Sequence, residues 1–194
     1  MSKDTNSVFW NKYFLEHFSK YLGKITSSKL YQDSHNKNSP PIEIVTFDNV
    51  FGGCKAFCSI GFSSYNHIVG EYSEVFMPVD AGWSETSKIL SGVLFYIIQE
   101  NKKIGRGLSI RFADVFPDLV DRIGKSAIFF TIPYDVPDGF KGFLYNSHLA
   151  FIYLAFYITE AEHQFFVIHG TEKFEDLLEK ERVDVFNISR LSTI

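Results

Sequence analysis

The apolar run from Leu149 to Ile158 constrains the fold more than any other feature of this 194-residue sequence. Its ten residues are too few for a membrane-spanning helix, which needs about twenty. Because both alternating sets of positions are apolar, the run is expected to form a strand that is buried on both faces of a sheet. The next residues, Thr159-Glu160-Ala161-Glu162, match a capping box and predict a helix. The chain is therefore expected to build a sheet around this strand.

Hydrophobic periodicity predicts the other elements. The spacing of Trp10, Phe14 and Phe18 indicates a helix from residue 8 to about residue 22. The polar segment 24–41 has no apolar period and is predicted to be a surface loop. Strands are predicted at 42–47, 54–62, 72–79, 108–112 and 126–132, and helices from a cap at Ser84 to about Asn101, from Thr159 to Gly170, and from a second cap at Thr171.

The order of these elements indicates the fold class. Helices do not alternate one by one with the strands, so a doubly wound parallel sheet is disfavoured. We expect an α+β fold with a mixed central β-sheet covered by helices. Residues 1–41, the N-terminal helix and polar loop, are treated as part of the same domain as residues 42–194.

The charge distribution limits the classes of partner. The formal net charge is −4, with +3 over residues 1–41, −5 over 42–100 and −4 over 142–194. Proteins that bind nucleic acid without sequence preference usually carry a basic patch, so no nucleic-acid partner is expected. The first residues lack the apolar segment of a secretory signal, and no membrane association is expected. These features predict a cytoplasmic protein.

No pattern in the sequence points to catalysis or to a bound cofactor. Cys54 and Cys58 alternate on a predicted strand, where four residues span about 13 Å, too far for a disulfide. No second ligand pair with zinc spacing accompanies them, and His163 and His169 do not share a helix face. We expect no metal, no cofactor and no catalytic residue. A hydrolase that uses Cys58 or carboxylates stays open as an alternative, and replacing Cys58 by Ser would test it.

Two groups of side chains are candidates for contacting a partner. Trp83 is surrounded in sequence by acidic residues and is expected to be exposed, which would suit an anchor for a basic protein. The alternative is a core tryptophan beside a solvated acidic rim. A turn-rich segment, 134–139, adds two more acids. The acids around Trp83 are Glu71, Glu74, Asp80 and Glu85, and the partner-binding residues that we predict are Trp83, Glu85, Asp135 and Asp138.

Four stretches of the chain resemble one family in their order and spacing. They are Phe57-Cys58-Ser59-Ile60-Gly61-Phe62-Ser63; the helix segment 91–98 followed by the strand segment 107–110; the apolar run 149–157 leading into Ile158-Thr159-Glu160-Ala161-Glu162; and the C-terminal Asp184, Asn187, Arg190 and Ser192. Together they resemble the suppressor-of-fused (SUFU) domain family in its bacterial, single-domain form. The resemblance extends from about residue 42 to the end of the chain.

The resemblance implies a function in protein binding. Bacterial members of this kind resemble antitoxins, or immunity proteins, of polymorphic toxin systems, including systems with LXG-type toxins. It therefore implies a cognate toxin as partner, often a nuclease, which is typically basic. The alternative is a regulatory module that sequesters a transcription or signalling factor, as the animal relative does with its second lobe. This chain is too short for that lobe, so no clamp residues are carried over, and the family supplies no catalytic residue.

Overall fold

A computed structural model describes residues 5–80, 83, 85–145 and 147–194. One mixed sheet of eight strands runs through the molecule in the order β1-β2-β3-β4-β8-β6-β5, and β7 pairs with β8 off this path. The strands are β1 (Ile25–Tyr31), β2 (Ile42–Val50), β3 (Cys54–Ile60), β4 (Tyr72–Val79), β5 (Ser109–Arg111), β6 (Ala127–Thr131), β7 (Gly142–Tyr145) and β8 (His148–Ile158). The expected mixed central sheet is thus confirmed.

Six helices accompany the sheet in the described part of the chain. They are α1 (Thr5–Leu22), α2 (Asn66–Val69), α3 (Thr86–Gln99), α4 (Phe112–Val115), α5 (Val120–Ile123) and α6 (Glu160–Lys180), with 3₁₀ turns at Phe62–Tyr65, Pro117–Leu119 and Asp138–Phe140. None of the helices described is long and apolar enough to cross a membrane.

The strand β8 lies in the middle of the sheet, as the apolar run predicts. It pairs in parallel with β4 and antiparallel with both β6 and β7. Its alternating side chains enter two separate cores. On one face Tyr153 and Tyr157 pack with the apolar side of α3, and on the other Leu154 and Phe156 pack with α1 and α6. The sheet is therefore covered by helices on both faces.

The prediction for segment 24–41 is wrong, because this segment contains β1. This strand is antiparallel to β2 and forms one edge of the sheet. Five of its seven side chains are exposed, so backbone hydrogen bonds rather than apolar burial hold it in place. A strand of that kind leaves no hydrophobic period in the sequence. Strand β7 was not predicted either, and the predicted cap Ser84 lies outside the described residues.

The long helix α6 contains a break at the predicted position. Gly170 has φ 83° and ψ 173°, which are not helical angles. The prediction that one helix ends there and another follows is confirmed. The predicted capping box is also present, since the Thr159 side chain accepts from the Glu162 amide and the Glu162 carboxylate accepts from the Thr159 amide. Beyond Gly170 the helix places Phe174 and Leu178 in the core.

Replacing Gly92 by alanine is expected to destabilise the protein by about 1–2 kcal/mol. Alanine normally stabilises a helix interior relative to glycine by about 1 kcal/mol. In α3, however, a Cβ at Gly92 would lie 2.3 Å from Cζ of Phe116, whose ring would have to move. Urea unfolding of the Gly92→Ala variant measures the effect. In a Phe116→Leu background the same substitution should stabilise, and stabilisation in the parent protein would contradict the expectation.

Candidate functional site

The turn after β3 is organised around a buried carboxylate. Glu74 on β4 is fully buried, and its oxygens accept hydrogen bonds from the amides of Gly61 (2.8 Å), Phe62 (3.2 Å) and Ser63 (3.1 Å). The Ser59 hydroxyl also donates to it, at 2.5 Å. Burial raises the pKa of Glu74, and the hydrogen bonds from Ser59, Ser63 and Gly61 partly offset that effect. Glu74 is therefore not part of an exposed acidic surface around Trp83, and that part of the prediction is wrong.

A second buried carboxylate joins α6 to the C-terminal segment. Glu162 has no exposed surface, and it receives two hydrogen bonds from the guanidinium of Arg190, one of them 2.9 Å long. It also accepts from the Thr193 amide at 3.2 Å, while Arg190 donates to the carbonyl of Tyr157. Burial alone would raise the pKa of Glu162, but the Arg190 and amide donors outweigh burial and lower it.

These two carboxylate networks give a structural role to residues from three of the four stretches quoted for the family resemblance. Ser59 and Gly61 belong to the first stretch, Thr159 and Glu162 to the third, and Arg190 to the fourth. In each case the side chain or amide satisfies a buried group of the protein itself. Their contacts are accounted for by the fold, so they are not candidates for binding a partner.

The cysteines do not form a reactive centre. Cys58 is fully buried among apolar side chains, as the strand alternation predicts. Burial raises the pKa of its thiol well above the ordinary value, and Glu74 raises it further, so the nucleophilic thiolate is disfavoured. Cys54 is half-buried, and both are free thiols. In the described ranges, no group of three or more His, Cys, Asp or Glu side chains could hold a metal ion.

The structure separates the four predicted partner-binding residues. Trp83 is half-buried and packs against the core on the α3 side, rather than standing exposed. Its indole nitrogen is buried and finds no acceptor among the described residues. Glu85 stands at the N-cap position of α3 without a capping hydrogen bond from its side chain, and it forms a 2.8 Å ion pair with Arg122. Asp138 is almost fully exposed and pairs at 2.9 Å with Lys141 in its own turn.

Asp135 is the predicted residue that lines a substantial cavity. It stands in the loop that leaves β6 and has a left-handed backbone, with φ 53°. The groove beside it, here called the α6 groove, has a volume of about 640 Å³. It lies between this loop and the second half of α6. Its lining is Arg106, Thr131, Ile132, Pro133, Tyr134, Asp135, Phe156, Glu175, Leu178, Glu179, Arg182 and Val183.

The α6 groove combines apolar and charged groups. Ile132 and Tyr134 remain 39% and 43% exposed, and Leu178 forms part of the floor. Burial raises the pKa of Tyr134, and Asp135 raises it further, so the phenol stays protonated at neutral pH. No hydrogen bond from this hydroxyl to any described residue is present, which leaves it available as a donor.

One wall of the groove is fixed by an ion pair. Glu175 accepts from Nε of Arg106 at 2.9 Å and from a second guanidinium nitrogen at 2.5 Å, and it also accepts from the Thr131 hydroxyl. These contacts neutralise Glu175. The pKa of Arg106 is raised by the hydrogen bond and charge of Glu175. Asp135 and Glu179 are exposed and form no ion pair with another described residue, and the same holds for Arg182, so the unpaired charges of the lining are two negative and one positive.

Sequence reasoning missed most of this lining. In the sequence, Arg106 is only the residue between two glycines, and Glu175 and Glu179 belong to a segment of mixed charge that is typical of an exposed helix face. The turn signal around Asp135 located one wall correctly. The other wall depends on how α6 crosses the end of β6, for which the sequence contains no signal.

Comparisons with known proteins agree with the fold. The family model described as suppressor of fused protein (SUFU) matches residues 38–191. A SUFU homologue from Neisseria gonorrhoeae has a similar structure, with a TM-score of 0.75, 15% identity, and coverage of 96% of this chain and 98% of that one. A chain of the Sufu–Fu complex gives 0.65 at 9% identity, with coverage of 94% and 91%.

Drosophila Suppressor of Fused gives a TM-score of 0.67 at 8% identity, with 94% of this chain and 50% of that one covered. This chain therefore spans about half the length of the Drosophila protein. No match was found among curated proteins.

Proposed function

Because the chain belongs to the suppressor of fused (SUFU) family, we propose that it acts by binding another protein, and that this partner is a toxin domain which it neutralises as an antitoxin in the cytoplasm. The observation that carries the proposal is the α6 groove. It joins exposed apolar groups, Ile132 and Tyr134, to unpaired acids. Aromatic anchors beside a charged rim are typical of protein interfaces.

The charge of the groove supports a basic partner. The unpaired acids Asp135 and Glu179 outnumber the unpaired Arg182 in the lining, and the chain is acidic overall, with a formal net charge of −4. A nuclease toxin is typically basic because it must hold a polyanion. Opposite charges on two proteins accelerate their association, and this attraction weakens as salt screens the charges. The expected complex is therefore stoichiometric, and its affinity falls with ionic strength.

The role of the α6 groove in binding can be tested with one charge reversal and a matched control. The protein is co-expressed with the toxin-like product of the adjacent gene, and growth and co-purification are scored. Glu179→Lys is expected to weaken the purified complex by about ten-fold or more and to reduce its salt dependence, because it removes attraction and adds repulsion. Glu16→Lys makes the same change of charge on α1, where Glu16 is exposed, and should leave affinity nearly unchanged.

Several outcomes would contradict this proposal. Equal loss of affinity in both variants would mean that only net charge matters and that the groove is not the interface. Rescue of growth without a complex would favour the enzymatic alternative. Absence of rescue by the unaltered protein would contradict the antitoxin function.

A regulatory binding module is the second candidate. It is favoured by the structural similarity to a chain of the Sufu–Fu complex, which covers 94% of this protein. In that case the α6 groove would hold a segment of a transcription or signalling factor. A regulator gene next to the coding sequence, and co-purification with its product, would support this candidate over the first.

A further inference from the structure

A second cavity, here called the α3 pocket, lies on the other side of the sheet from the α6 groove. It has a volume of about 310 Å³ and is formed by the segment after β1, the outer side of α3 and the end of α4. Its walls are rich in aromatic rings, which belong to Tyr31, Phe95, Tyr96 and Phe116. This volume is at the lower end for ligand sites, and it suits a single side chain better than a large ligand.

A nearly buried carboxylate lines the same pocket. The Asp33 side chain is only 7% exposed. Its Oδ1 accepts from the His35 amide at 2.8 Å and from Nε2 of Gln99 at 2.9 Å. Its Oδ2 accepts no hydrogen bond from the described residues. This oxygen keeps some contact with solvent. It can therefore accept a hydrogen bond from a ligand that enters the pocket.

The surroundings of Asp33 favour a positive ligand. Asp114 also lines the pocket. Burial raises the pKa of Tyr96, and the negative charges of Asp114 and Glu100 raise it further. Three basic groups lie nearby. Nδ1 of the exposed His35 ring is 3.7 Å from Oδ1 of Asp33, which makes an ion pair only when the ring is protonated. Lys88 lines the pocket, and Lys102 is 5.9 Å from the centre of the Tyr96 ring. Both lysines are partly or fully exposed, and no ion pair joins either of them to Asp33.

Packing and a hydrogen bond fix two of the aromatic side chains that line the pocket. The ring of Phe116 lies directly over Gly92, where no side chain could be added without moving it. Tyr31 is fixed by a 2.8 Å hydrogen bond between its hydroxyl and that of Ser87. The aromatic walls and the carboxylate are thus preorganised, which reduces the cost of ordering them on binding.

We propose that the α3 pocket is a receptor for one cationic side chain, a lysine or an arginine, presented by a protein partner. The cation would donate to Oδ2 of Asp33, and its alkyl stem and charge would lie against the rings of Tyr96 and Phe116. Cations bind to aromatic faces through the ring quadrupole, and a charge-assisted hydrogen bond to a carboxylate is stronger than a neutral one. This site is separate from the α6 groove and does not depend on it.

Short peptides test the pocket without any knowledge of the partner. The full chain, labelled with ¹⁵N, is titrated with acetyl-Gly-Lys-Gly-amide, its arginine analogue and a neutral norleucine analogue, followed by amide chemical shifts. The cationic peptides should give saturable shifts at Gly92 and Gln99, with dissociation constants of about 1 mM, as expected for a single side chain. The norleucine peptide should bind at least about ten-fold more weakly.

Variants distinguish binding in the α3 pocket from a general attraction of cationic peptides to an acidic protein. Asp33→Asn keeps an acceptor for His35 and Gln99 but removes the charge, and it should weaken the cationic peptides by about ten-fold. Asp48→Asn is the matched control, because Asp48 pairs with Lys55 at 3.3 Å on a distant hairpin. If Asp33→Asn does not fold, Tyr96→Leu should produce the same loss.

The proposal would be overturned by equal binding of the norleucine peptide, by unchanged affinity in Asp33→Asn or Tyr96→Leu, or by the absence of saturable shifts in the unaltered protein. None of these results would affect the α6 groove, whose test uses a different surface and a different variant.

Discussion

Replacing Glu162 by alanine is expected to lower the free energy of unfolding by about 3–5 kcal/mol, because the change leaves the Arg190 guanidinium buried and unpaired. The Arg190 side chain is only 8% exposed, and no other carboxylate among the described residues pairs with it. The amide of Thr193 also loses its acceptor. Urea unfolding followed by circular dichroism measures the loss. The C-terminal segment should then exchange its amide hydrogens much faster.

The pH dependence of stability provides an independent check on the same pair. The pKa of Glu162 is lowered in the folded protein from an ordinary value of 4.5. Its contribution is therefore fully present above pH 4.5 and is lost as the pH falls through the folded pKa. The difference in stability between the parent and Glu162→Ala should shrink in that range. Glu16→Ala, at an exposed i,i+4 pair, should cost no more than about 0.5 kcal/mol. A similar cost for both variants would contradict the assigned role of Glu162.

Replacing Glu74 by alanine is expected to cost about 3–6 kcal/mol, the second large effect. Three amides and the Ser59 hydroxyl would lose their acceptor in a fully buried place. The more informative change is Glu74→Gln. Glutamine keeps the shape, but its NH₂ group must face donors where the carboxylate accepted, so it should still cost about 2–4 kcal/mol.

The control for Glu74→Gln is Glu172→Gln, because Glu172 is exposed at the start of the second half of α6. That change should alter stability by less than about 0.5 kcal/mol. If Glu74→Gln were as stable as the parent, then Glu74 would be protonated in the fold and would donate rather than only accept. Thermal unfolding at neutral pH distinguishes the two cases.

The sequence predicts the parts of the fold that depend on apolar burial. The run from Leu149 to Ile158 locates the central strand because both of its faces are largely buried from Ala150 onward, although Leu149 itself is 59% exposed. The spacing of Trp10, Phe14 and Phe18 locates α1 because one face is buried. Strands β1 and β7 were missed for the opposite reason. Their side chains are mostly exposed or half-buried, and they are held by backbone pairing, which any residue except proline can supply.

The candidate sites were harder to predict because they depend on residues that are distant in sequence. The sequence places Glu74 only among the acids near Trp83. Its four hydrogen-bond donors lie 11 to 15 residues earlier, and they meet the carboxylate only when the chain folds. Asp33 lies in the segment that the sequence predicts as a surface loop, whereas in the fold Gln99, 66 residues later, completes its contacts. Local patterns indicate which residues are buried, but they do not indicate which polar groups meet.

The position of β8 determines when the sheet can form during synthesis. Strands β1 to β4 pair in chain order, but the neighbour of β4 on its other side is β8, the last strand to be made. Until residue 158 has left the ribosome, β4 has an unpaired edge and the strands β5 and β6 have no central partner. Contacts of such long sequence separation form slowly, and an open apolar edge favours aggregation. A nascent or truncated chain that ends before β8 is therefore expected to depend on chaperones, and the native state should appear only in a late, cooperative step.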